Sequence, residues 1–244
     1  MSRIGQPMQR VEDARLTSGE GTYIDDLYPL PNIHHVAILR SPYSHAKIND
    51  IQIQKAQSIK GVVTVITGKE VAQLTKPFPV GVTVPVKYYP IAIDKVRYVG
   101  EPVAVVVAKN RYIAEDALEA IHVDYEPLTP VVGIEEALKP DAPVLHEEIG
   151  SNIANQRTFN YGDVDKAFEE ADHVISHKFS FPKFSATPVE NYGVIANYYP
   201  SEGTYNIWAN FHGPFTLHSV MSAALKVPSN KIRIITPKDI GGSY

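Results

Sequence analysis

The sequence predicts an α+β protein made of two successive mixed α/β domains. In the first half, the apolar run "VAVVVA" at Val103–Ala108 is followed by a helical pattern and then by a short strand, which is the order of an α/β layer. In the second half, a helical stripe that begins at Pro214 lies between two strand-like runs. A chain of 244 residues, 44% of them apolar, is long enough to bury one large core or two smaller ones.

The strands of the first half are predicted from short β-branched and apolar runs bounded by glycine or polar residues. These runs cover residues 34–41, 61–68, 96–108 and 122–128. The third run is expected to break near Gly100 and Pro102, because proline fixes φ and has no N–H to donate. Residues 75–90 contain four prolines and are therefore predicted to be a loop or an edge strand.

The helices are predicted from an apolar period of 3.6 residues and from capping residues. One helix follows Asn110, a short one covers Ile134–Leu138, another follows Asp163, and the last carries Pro214 in its first turn. Between the last two, the runs "HVISHKFSF", "GVIANYY" and "TYNIWANF" predict strands, mostly antiparallel, and "NKIRIITP" predicts a closing strand.

Changes in composition divide the chain into four parts. Residues 1–25 are polar and predict an irregular lead-in, and residues 26–130 form the first α/β domain. Prolines and one short helical stretch indicate a connector over residues 131–160. Residues 161–244 form the second domain.

The composition excludes several classes of function. There is no cysteine, so this chain cannot form a disulfide, ligate an iron–sulfur cluster or use a thiol nucleophile. The net charge is −4 and the basic clusters carry no interleaved aromatics, so no nucleic-acid partner is expected. The first residues lack the apolar core of a secretory signal and the longest apolar run is too short to span a bilayer. We therefore expect a cytoplasmic protein without a membrane span.

Two glycine-containing runs do not match the nucleotide-binding motifs that they resemble. "GVVTVITGKE" lacks the glycine spacing and the Ser or Thr of a phosphate loop, and "SGEGTY" has neither the preceding strand nor the following helix of a dinucleotide fingerprint. His173 and His177 would share one face of a strand, but no third ligand is near, so no metal site is expected.

Three features of the second domain are candidates for a binding site. Glu190 lies among apolar residues, where an unpaired carboxylate is costly, so it is either paired or part of a site. His212 precedes a predicted helix whose first N–H groups suit an anionic ligand, although a surface histidine is the simpler interpretation. Gly241 and Gly242 either bring backbone N–H groups close to a ligand or form a frayed tail. Two glycine-containing loops joined by one helix–strand unit indicate a shared site at strand ends.

Several segments occur in a familiar order. They are "GQPMQRVEDARLTSGEGTYIDDL", then "HVAILRSPYSHAKI", "VRYVGEPVAVVVA" and "HVDYEPLTPVV", and finally "PVENYGVIA", "NFHGPFTLHSVMSAAL" and "DIGGSY". Together they resemble the molybdenum-cofactor large subunit of the xanthine dehydrogenase, aldehyde oxidase and carbon monoxide dehydrogenase family. The resemblance implies an α/β hammerhead domain over residues 26–130 and the first part of a mixed α/β molybdopterin-binding domain over residues 161–244.

The resemblance also implies site residues. Backbone groups of Gly241, Gly242, Ser243 and Tyr244 would lie near the oxo ligands of the molybdenum, and the Tyr244 ring would flank the substrate pocket. His212 falls where many members carry a glutamine that hydrogen-bonds a molybdenum oxygen. The metal is held by the dithiolene of the pterin, so no protein ligand is expected.

Members of the family hydroxylate an aldehyde, a heterocycle or a similar small molecule with water-derived oxygen. Their general-base glutamate would lie beyond residue 244, so no catalytic residue is expected here and the chain alone would be inactive. The implied partners are the C-terminal remainder of the large subunit, an FAD-containing medium subunit and a small subunit with 2Fe–2S clusters. A split gene, a premature stop, an engineered truncation and proteolysis are all compatible with a chain that ends inside the glycine motif. The alternative function is a non-catalytic assembly module without cofactor.

Overall fold

The chain folds into two units that do not follow the order of the sequence. A computed structural model describes residues 3–27, 31–182 and 185–242. One unit is His34–Ser185, and the other combines Met1–Ile33 with Ala186–Tyr244. The N-terminal segment therefore belongs to the same unit as the last part of the chain.

The described residues contain short helices and strands in alternation. The helices are α1 (Asp13–Thr17), α2 (Gln54–Gln57), α3 (Gly68–Leu74), α4 (Arg111–Glu119), α5 (Ile134–Ala137), α6 (Val164–Glu169) and α7 (Pro214–Leu225). The strands are β1 (His35–Arg40), β2 (Ala46–Gln52), β3 (Val62–Thr67), β4 (Lys95–Val96), β5 (Pro102–Ala108), β6 (His122–Pro127), β7 (Val194–Tyr199), β8 (Thr204–Ala209) and β9 (Ile232–Ile235). None of the helices in the described ranges is long and apolar enough to cross a membrane.

The His34–Ser185 unit contains two antiparallel three-stranded sheets, in the orders β1-β5-β3 and β4-β2-β6. The central strand β5 is the apolar run seen in the sequence, and Val103, Ala104 and Val106 in it are fully buried. Helix α4 packs against β1 and β5 through Ala114 and Ala117. Small side chains at these two positions let the helix lie close to the sheet.

The predicted start of α4 is confirmed. Asn110 is the N-cap, and its side-chain oxygen accepts a hydrogen bond of 2.9 Å from the N–H of Ile113. Asp163 caps α6 in the same way, through the N–H of Lys166. Pro214 is at the first turn of α7, where its missing N–H costs nothing.

The predicted break near Gly100 and Pro102 is where the chain changes sheets. Strand β4 ends at Val96 and pairs with β2, whereas β5 belongs to the other sheet. Gly100 has φ +89°, which suits glycine, and its N–H donates to the carbonyl of Ser41. The interruption therefore joins the two sheets instead of ending one strand.

The sequence did not predict strand β2 or helices α2 and α3. Strand β2 reads "AKINDIQ" and alternates too weakly to stand out from a polar loop. Helix α3 begins with a capping box, in which the Glu70 carboxylate accepts from the N–H and the hydroxyl of Thr67. The signal for α3 is the spacing of Thr67 and Glu70 around Gly68, within the same run that lacks the spacing of a phosphate loop.

One predicted strand is wrong. Residues 173–182, which include "HVISHKFSF", have no regular secondary structure and are exposed. A strand needs a neighbour for its N–H and C=O groups, and no strand of the described ranges pairs with this segment. The polar lead-in is also not wholly irregular, because it contains the five-residue helix α1.

The second unit is built on a three-stranded sheet in the order β7-β8-β9. Strands β7 and β8 are antiparallel, as predicted, while β8 and β9 are parallel and are joined through α7. Ile207, Ala209, Ala224 and Ile232 are its buried apolar residues along this β-α-β connection.

Gly68→Ala should destabilise the His34–Ser185 unit. A Cβ at Gly68 would lie 2.1 Å from the carbonyl oxygen of Ala92, so the backbone must move. We expect a loss of about 1–3 kcal/mol in the free energy of unfolding, measured by amide hydrogen exchange in β5. The matched control Gly133→Ala meets no atom closer than 3.5 Å and should change the value by no more than about 0.5 kcal/mol. Equal effects of the two substitutions would contradict this reading of Gly68.

Candidate functional site

The candidate site is one edge of the β7-β8-β9 sheet. We call it the loop edge and define it as residues 190–193, 210–213 and 239–242. Parallel strands β8 and β9 both end here, and β7, which is antiparallel to β8, begins here. Loops at the carboxyl ends of neighbouring parallel strands are a common place for a ligand.

Asn210 holds the start of β7 to the end of β8. Its side chain is buried, accepts a hydrogen bond of 2.8 Å from the N–H of Gly193 and donates one of 2.8 Å to the carbonyl of Asn191. All three groups lie outside the strand ladder, so this side chain extends the order of the sheet into its loops.

Glu190 is paired rather than free. One carboxylate oxygen accepts from the N–H of Gly241 at 2.6 Å, and the other accepts from the N–H of Ile24 at 3.1 Å. The N–H of Glu190 in turn donates to the carbonyl of Gly241 at 3.3 Å. Glu190 is therefore a structural residue that joins the N-terminal segment, the start of β7 and the glycine turn.

The glycine turn is shaped by this contact. A Cβ at Gly241 would lie 2.4 Å from the Cβ of Glu190, so only glycine fits. Gly242 has φ +134°, a backbone conformation that other residues rarely adopt. The N–H of Gly241 is already used by Glu190, whereas the N–H of Gly242 makes no hydrogen bond among the described residues.

Asp239 fixes the same turn from the other side. Both of its oxygens accept from the guanidinium of Arg15 at 2.5 Å, and one also accepts from the N–H of Thr22 at 2.8 Å. The hydrogen bonds from the Arg15 guanidinium, with a smaller contribution from the N–H of Thr22, lower the pKa of Asp239 to about 2. The N–H of Asp239 returns a bond to the carbonyl of Thr22.

His212 stands exposed at the N-terminus of α7. Gly213 is the N-cap, in a left-handed conformation with φ 91° and ψ 46°, and no side chain caps the helix. Phe215 and Thr216 occupy the first turn, where N–H groups have no partner within the helix. The positive end of the helix dipole and these N–H groups favour an anionic group placed beside His212.

The predicted site residues are thus partly brought together. His212 follows β8, and Gly241 and Gly242 follow β9, so all three belong to the loop edge. Ser243 and Tyr244 lie outside the described residues. In the described ranges, no group of three His, Cys, Asp or Glu side chains is placed to hold a metal ion.

Sequence reasoning missed the groups that hold the loop edge in place. Asn210 and Asp239 each precede a glycine-containing turn, which was the available local signal. Arg15 gave no such signal, because its partner is 224 residues away.

A second cavity lies in the His34–Ser185 unit. Its volume is about 350 Å³ and its lining includes Tyr98, Glu101, Arg97 and His146. Burial raises the pKa of Glu101, and raises that of Tyr98 to about 12. The carboxylate of Glu101 accepts from the N–H of Arg97 at 2.5 Å. The lining holds three carboxyl groups, Asp94, Glu101 and Glu148, against Lys87 and Arg97, so its charge does not favour an anion.

Two models of known protein families match this chain. Residues 18–129 match the family model "Aldehyde oxidase and xanthine dehydrogenase, a/b hammerhead domain", and residues 145–244 match the "Molybdopterin cofactor-binding domain". Residues 18–129 therefore belong to the hammerhead-domain family and residues 145–244 to the molybdopterin cofactor-binding family. The two models follow each other in the order that the sequence resemblance implied, and the open sheets of mixed helix and strand agree with the predicted fold class.

Similar proteins include molybdenum enzymes of several specificities. The chain is 34% identical to the carbon monoxide dehydrogenase large chain of Afipia carboxidovorans, over 99% of this chain and 31% of that protein. It is 32% identical to the nicotine 6-hydroxylase large subunit of Paenarthrobacter nicotinovorans, over 99% of this chain and 30% of that protein. Quinoline 2-oxidoreductase from Pseudomonas putida 86 has a similar structure, with a TM-score of 0.88 and 34% identity over 99% of this chain and 31% of that chain. The chain thus spans about a third of the length of these relatives.

The loop edge fits the cofactor named by the second family model. Molybdopterin is an anionic group with a phosphate, and the uncapped turn of α7 offers free N–H groups to such a ligand. The His212 imidazole and the N–H of Gly242 add hydrogen-bonding groups, and Gly242 has no side chain that would block access to its N–H.

Stability of the second unit should depend on pH through Asp239. The pKa of Asp239 is about 2 in the folded chain against an ordinary value of 3.8, so its contribution is present above 3.8 and is lost as the pH falls toward about 2. Trp208 in β8 is the only tryptophan and its fluorescence reports on this unit during denaturation. We expect Asp239→Asn to lower the free energy of unfolding at neutral pH and to reduce its fall at acidic pH. The exposed control Asp25→Asn should keep the acidic fall, and an undiminished fall in Asp239→Asn would contradict the assignment.

Glu190→Gln should loosen the glycine turn. The amide nitrogen must face one of the two N–H donors that the carboxylate now accepts, which leaves that donor unpaired at a cost of about 1–3 kcal/mol. Amide hydrogen exchange at Ile24 and Gly241 should therefore become faster. Glu20→Gln, at an exposed position of the same unit, is the control and should leave both amides unchanged. Unchanged exchange at both amides in Glu190→Gln would remove the structural role given to this carboxylate.

Proposed function

We propose that the chain supplies the hammerhead domain, residues 26–130, and the first part of the molybdopterin-binding domain, residues 161–244, of a molybdenum hydroxylase. Such an oxidoreductase hydroxylates a small-molecule substrate with water-derived oxygen. The observation that carries the proposal is the loop edge: an uncapped helix N-terminus and a glycine turn meet at strand ends within the region that matches a molybdopterin-binding domain.

The residues of the loop edge have separate tasks in this proposal. The N–H groups of the first turn of α7 would hold the anionic part of the cofactor, and His212 would donate a hydrogen bond to it. Gly241, Gly242, Ser243 and Tyr244 would bring backbone groups close to it, and the Tyr244 ring would flank the substrate. When bound, the molybdenum cofactor supplies the two-electron oxidation. Glu190 and Asp239 would keep the glycine turn in place, because both carboxylates are bonded to backbone N–H groups.

The partners belong to the proposal as well. The rest of a large subunit would supply the general-base glutamate, and separate medium and small subunits would carry FAD and 2Fe–2S clusters for electron transfer. The named substrates of the similar proteins are as different as carbon monoxide and nicotine, so we assign only the class of small-molecule substrate. We also propose a cytoplasmic location, which cell fractionation would check.

A non-catalytic assembly module is the second candidate. The observation in its favour is His212, an exposed imidazole where many members have a glutamine. In that case the loop edge would be kept for its structure and would bind no cofactor.

Metal and cofactor analysis separates the two candidates. The untagged protein, purified under mild conditions from its native host, should contain molybdenum and pterin together with chains that carry FAD and iron–sulfur clusters. A lone 27.0 kDa chain without molybdenum would refute the hydroxylase and favour the assembly module.

The role of His212 can be tested in the purified assembly. His212→Ala removes a hydrogen-bond donor beside the cofactor and should lower turnover by about 10²-fold while leaving molybdenum content unchanged. His212→Gln restores a donor and should recover most of the activity. His218→Gln is a poor control because His218 bonds the backbone of Ser229, so the exposed His122→Gln is used instead. Full turnover in His212→Ala would retire this role.

A further inference from the structure

A strip of apolar side chains lies exposed in the last part of the His34–Ser185 unit. We call it the apolar strip; it consists of Phe159, Tyr161, Val164, Phe168, Val174, Ile175, Phe179 and Phe181. Their exposed fractions run from 51% for Val164 to 91% for Ile175. Monomeric proteins seldom expose contiguous apolar surface of this kind, and where they do it usually marks an interface.

The segment 175–181 has the pattern of a half-buried strand. Ile175, Phe179 and Phe181 occupy alternate positions with His177, and the positions between them are Ser176, Lys178 and Ser180. The rings of His177 and Phe179 are 4.7 Å apart in an edge-on contact, which places these two side chains on one side of the backbone. Strict alternation with one apolar side is typical of a strand that buries that side.

Helix α6 presents its apolar side in the same region. Val164, Ala167, Phe168 and Ala171 recur at helical spacing and line a groove of about 510 Å³. Val174 and Ile175 line the same groove, so the apolar side of the helix is continuous with the start of the strand-like segment.

Among the described residues, no strand pairs with the backbone of this segment. No strand in the described ranges lies beside residues 173–182, although the sequence pattern predicts a strand there. An extended chain with an apolar face would suit this segment in two ways. Its backbone would pair with the N–H and C=O groups of the segment, and its apolar face would pack on the apolar side chains.

The length of the similar proteins indicates which neighbour this segment has. This chain covers only 31% of the carbon monoxide dehydrogenase large chain, while 99% of its own length is matched. The other two thirds of such a large subunit can supply an extended segment. The one lysine of the segment, Lys178, is already ion-paired with Glu135, so charge does not select the partner.

We propose that residues 173–181 pair as a strand with an extended segment from the part of a molybdenum hydroxylase large subunit that this chain does not span, and that Val164 and Phe168 pack on the same partner. This inference rests on the proposed function, since the hydroxylase supplies the partner. It assigns the docking surface to α6 and residues 173–181, none of which belongs to the loop edge.

Amide hydrogen exchange on the native assembly tests the proposal. The untagged assembly is purified from the native host, and mass spectrometry identifies a chain, or a further segment of the same chain, with the remaining large-subunit sequence. We expect exchange of residues 173–181 to be at least about 100-fold slower in the assembly than in the 244-residue chain alone.

Two matched pairs of substitutions test the direction of the docking face. Phe179→Asp with Phe181→Asp places charges on the apolar side, and Ser176→Asp with Ser180→Asp places the same charges on the polar side. The first pair should reduce recovery of the partner at least about tenfold, whereas the second should keep it within about twofold. Phe179 and Phe181 are about nine-tenths exposed, so neither pair should change the thermal unfolding of the chain alone.

The outcomes separate this inference from the proposed function. Absence of molybdenum and pterin from the assembly counts against the hydroxylase. If the assembly contains molybdenum but the amides of residues 173–181 exchange as fast as in the chain alone, the docking surface is overturned and the proposed hydroxylase function is not. Protection of the segment in a dimer of the chain alone, detected by analytical ultracentrifugation, overturns the choice of partner, and so does recovery of the chain without any large-subunit sequence beyond its own.

Discussion

The ion pair between Arg15 and Asp239 is the contact on which the second unit depends. It joins a helix near the start of the chain to the loop that follows the last strand, with two parallel hydrogen bonds of 2.5 Å. Bidentate pairing fixes orientation as well as distance, so the N-terminal segment is held in one register against the sheet. The backbone bond from the N–H of Asp239 to the carbonyl of Thr22 and the bond from the N–H of Ile24 to the Glu190 carboxylate follow from that register.

Support and binding are divided between different groups at the loop edge. The carboxylates of Glu190 and Asp239 and the amide of Asn210 all bond to groups of the protein itself. Within the described part of the chain, the first turn of α7 and Gly242 make no such bond through their N–H groups. A ligand at the loop edge would therefore contact mainly backbone groups, whose positions do not depend on a side-chain rotamer. Because these groups are already ordered, less conformational entropy is lost on binding.

Local patterns predicted most of the fold. Strand β5, the caps at Asn110 and Asp163 and the break near Gly100 all depend on neighbouring residues, and these are visible in the sequence. That the chain changes sheets at this break was not predicted. Strand β2 was hidden because its burial depends on partners in two other strands.

The candidate site was predictable only to the level of its loops. Loops after β8 and β9 could be brought to one edge because parallel strands end together, which is a rule of topology. The pairing of Arg15 with Asp239 joins positions that share no local pattern. The strand predicted at residues 173–181 is wrong for a different reason. The alternation of apolar and polar residues shows that the segment is suited to a strand, but a strand also needs a neighbouring strand, and the described residues contain none beside it.

The placement of the N-terminal segment affects the order in which the chain acquires structure during synthesis. The residues of the His34–Ser185 unit are contiguous, so this unit can fold once its own sequence has emerged. Arg15 must wait for a residue 224 positions later, which at about 5–20 residues per second is roughly 10–45 s of translation. During that interval the first thirty or so residues stay on the ribosome-bound chain without their sheet. Ribosome pausing in the last part of the message would therefore lengthen the exposure of the beginning of the protein, a coupling between the two ends that arises from the topology of this unit.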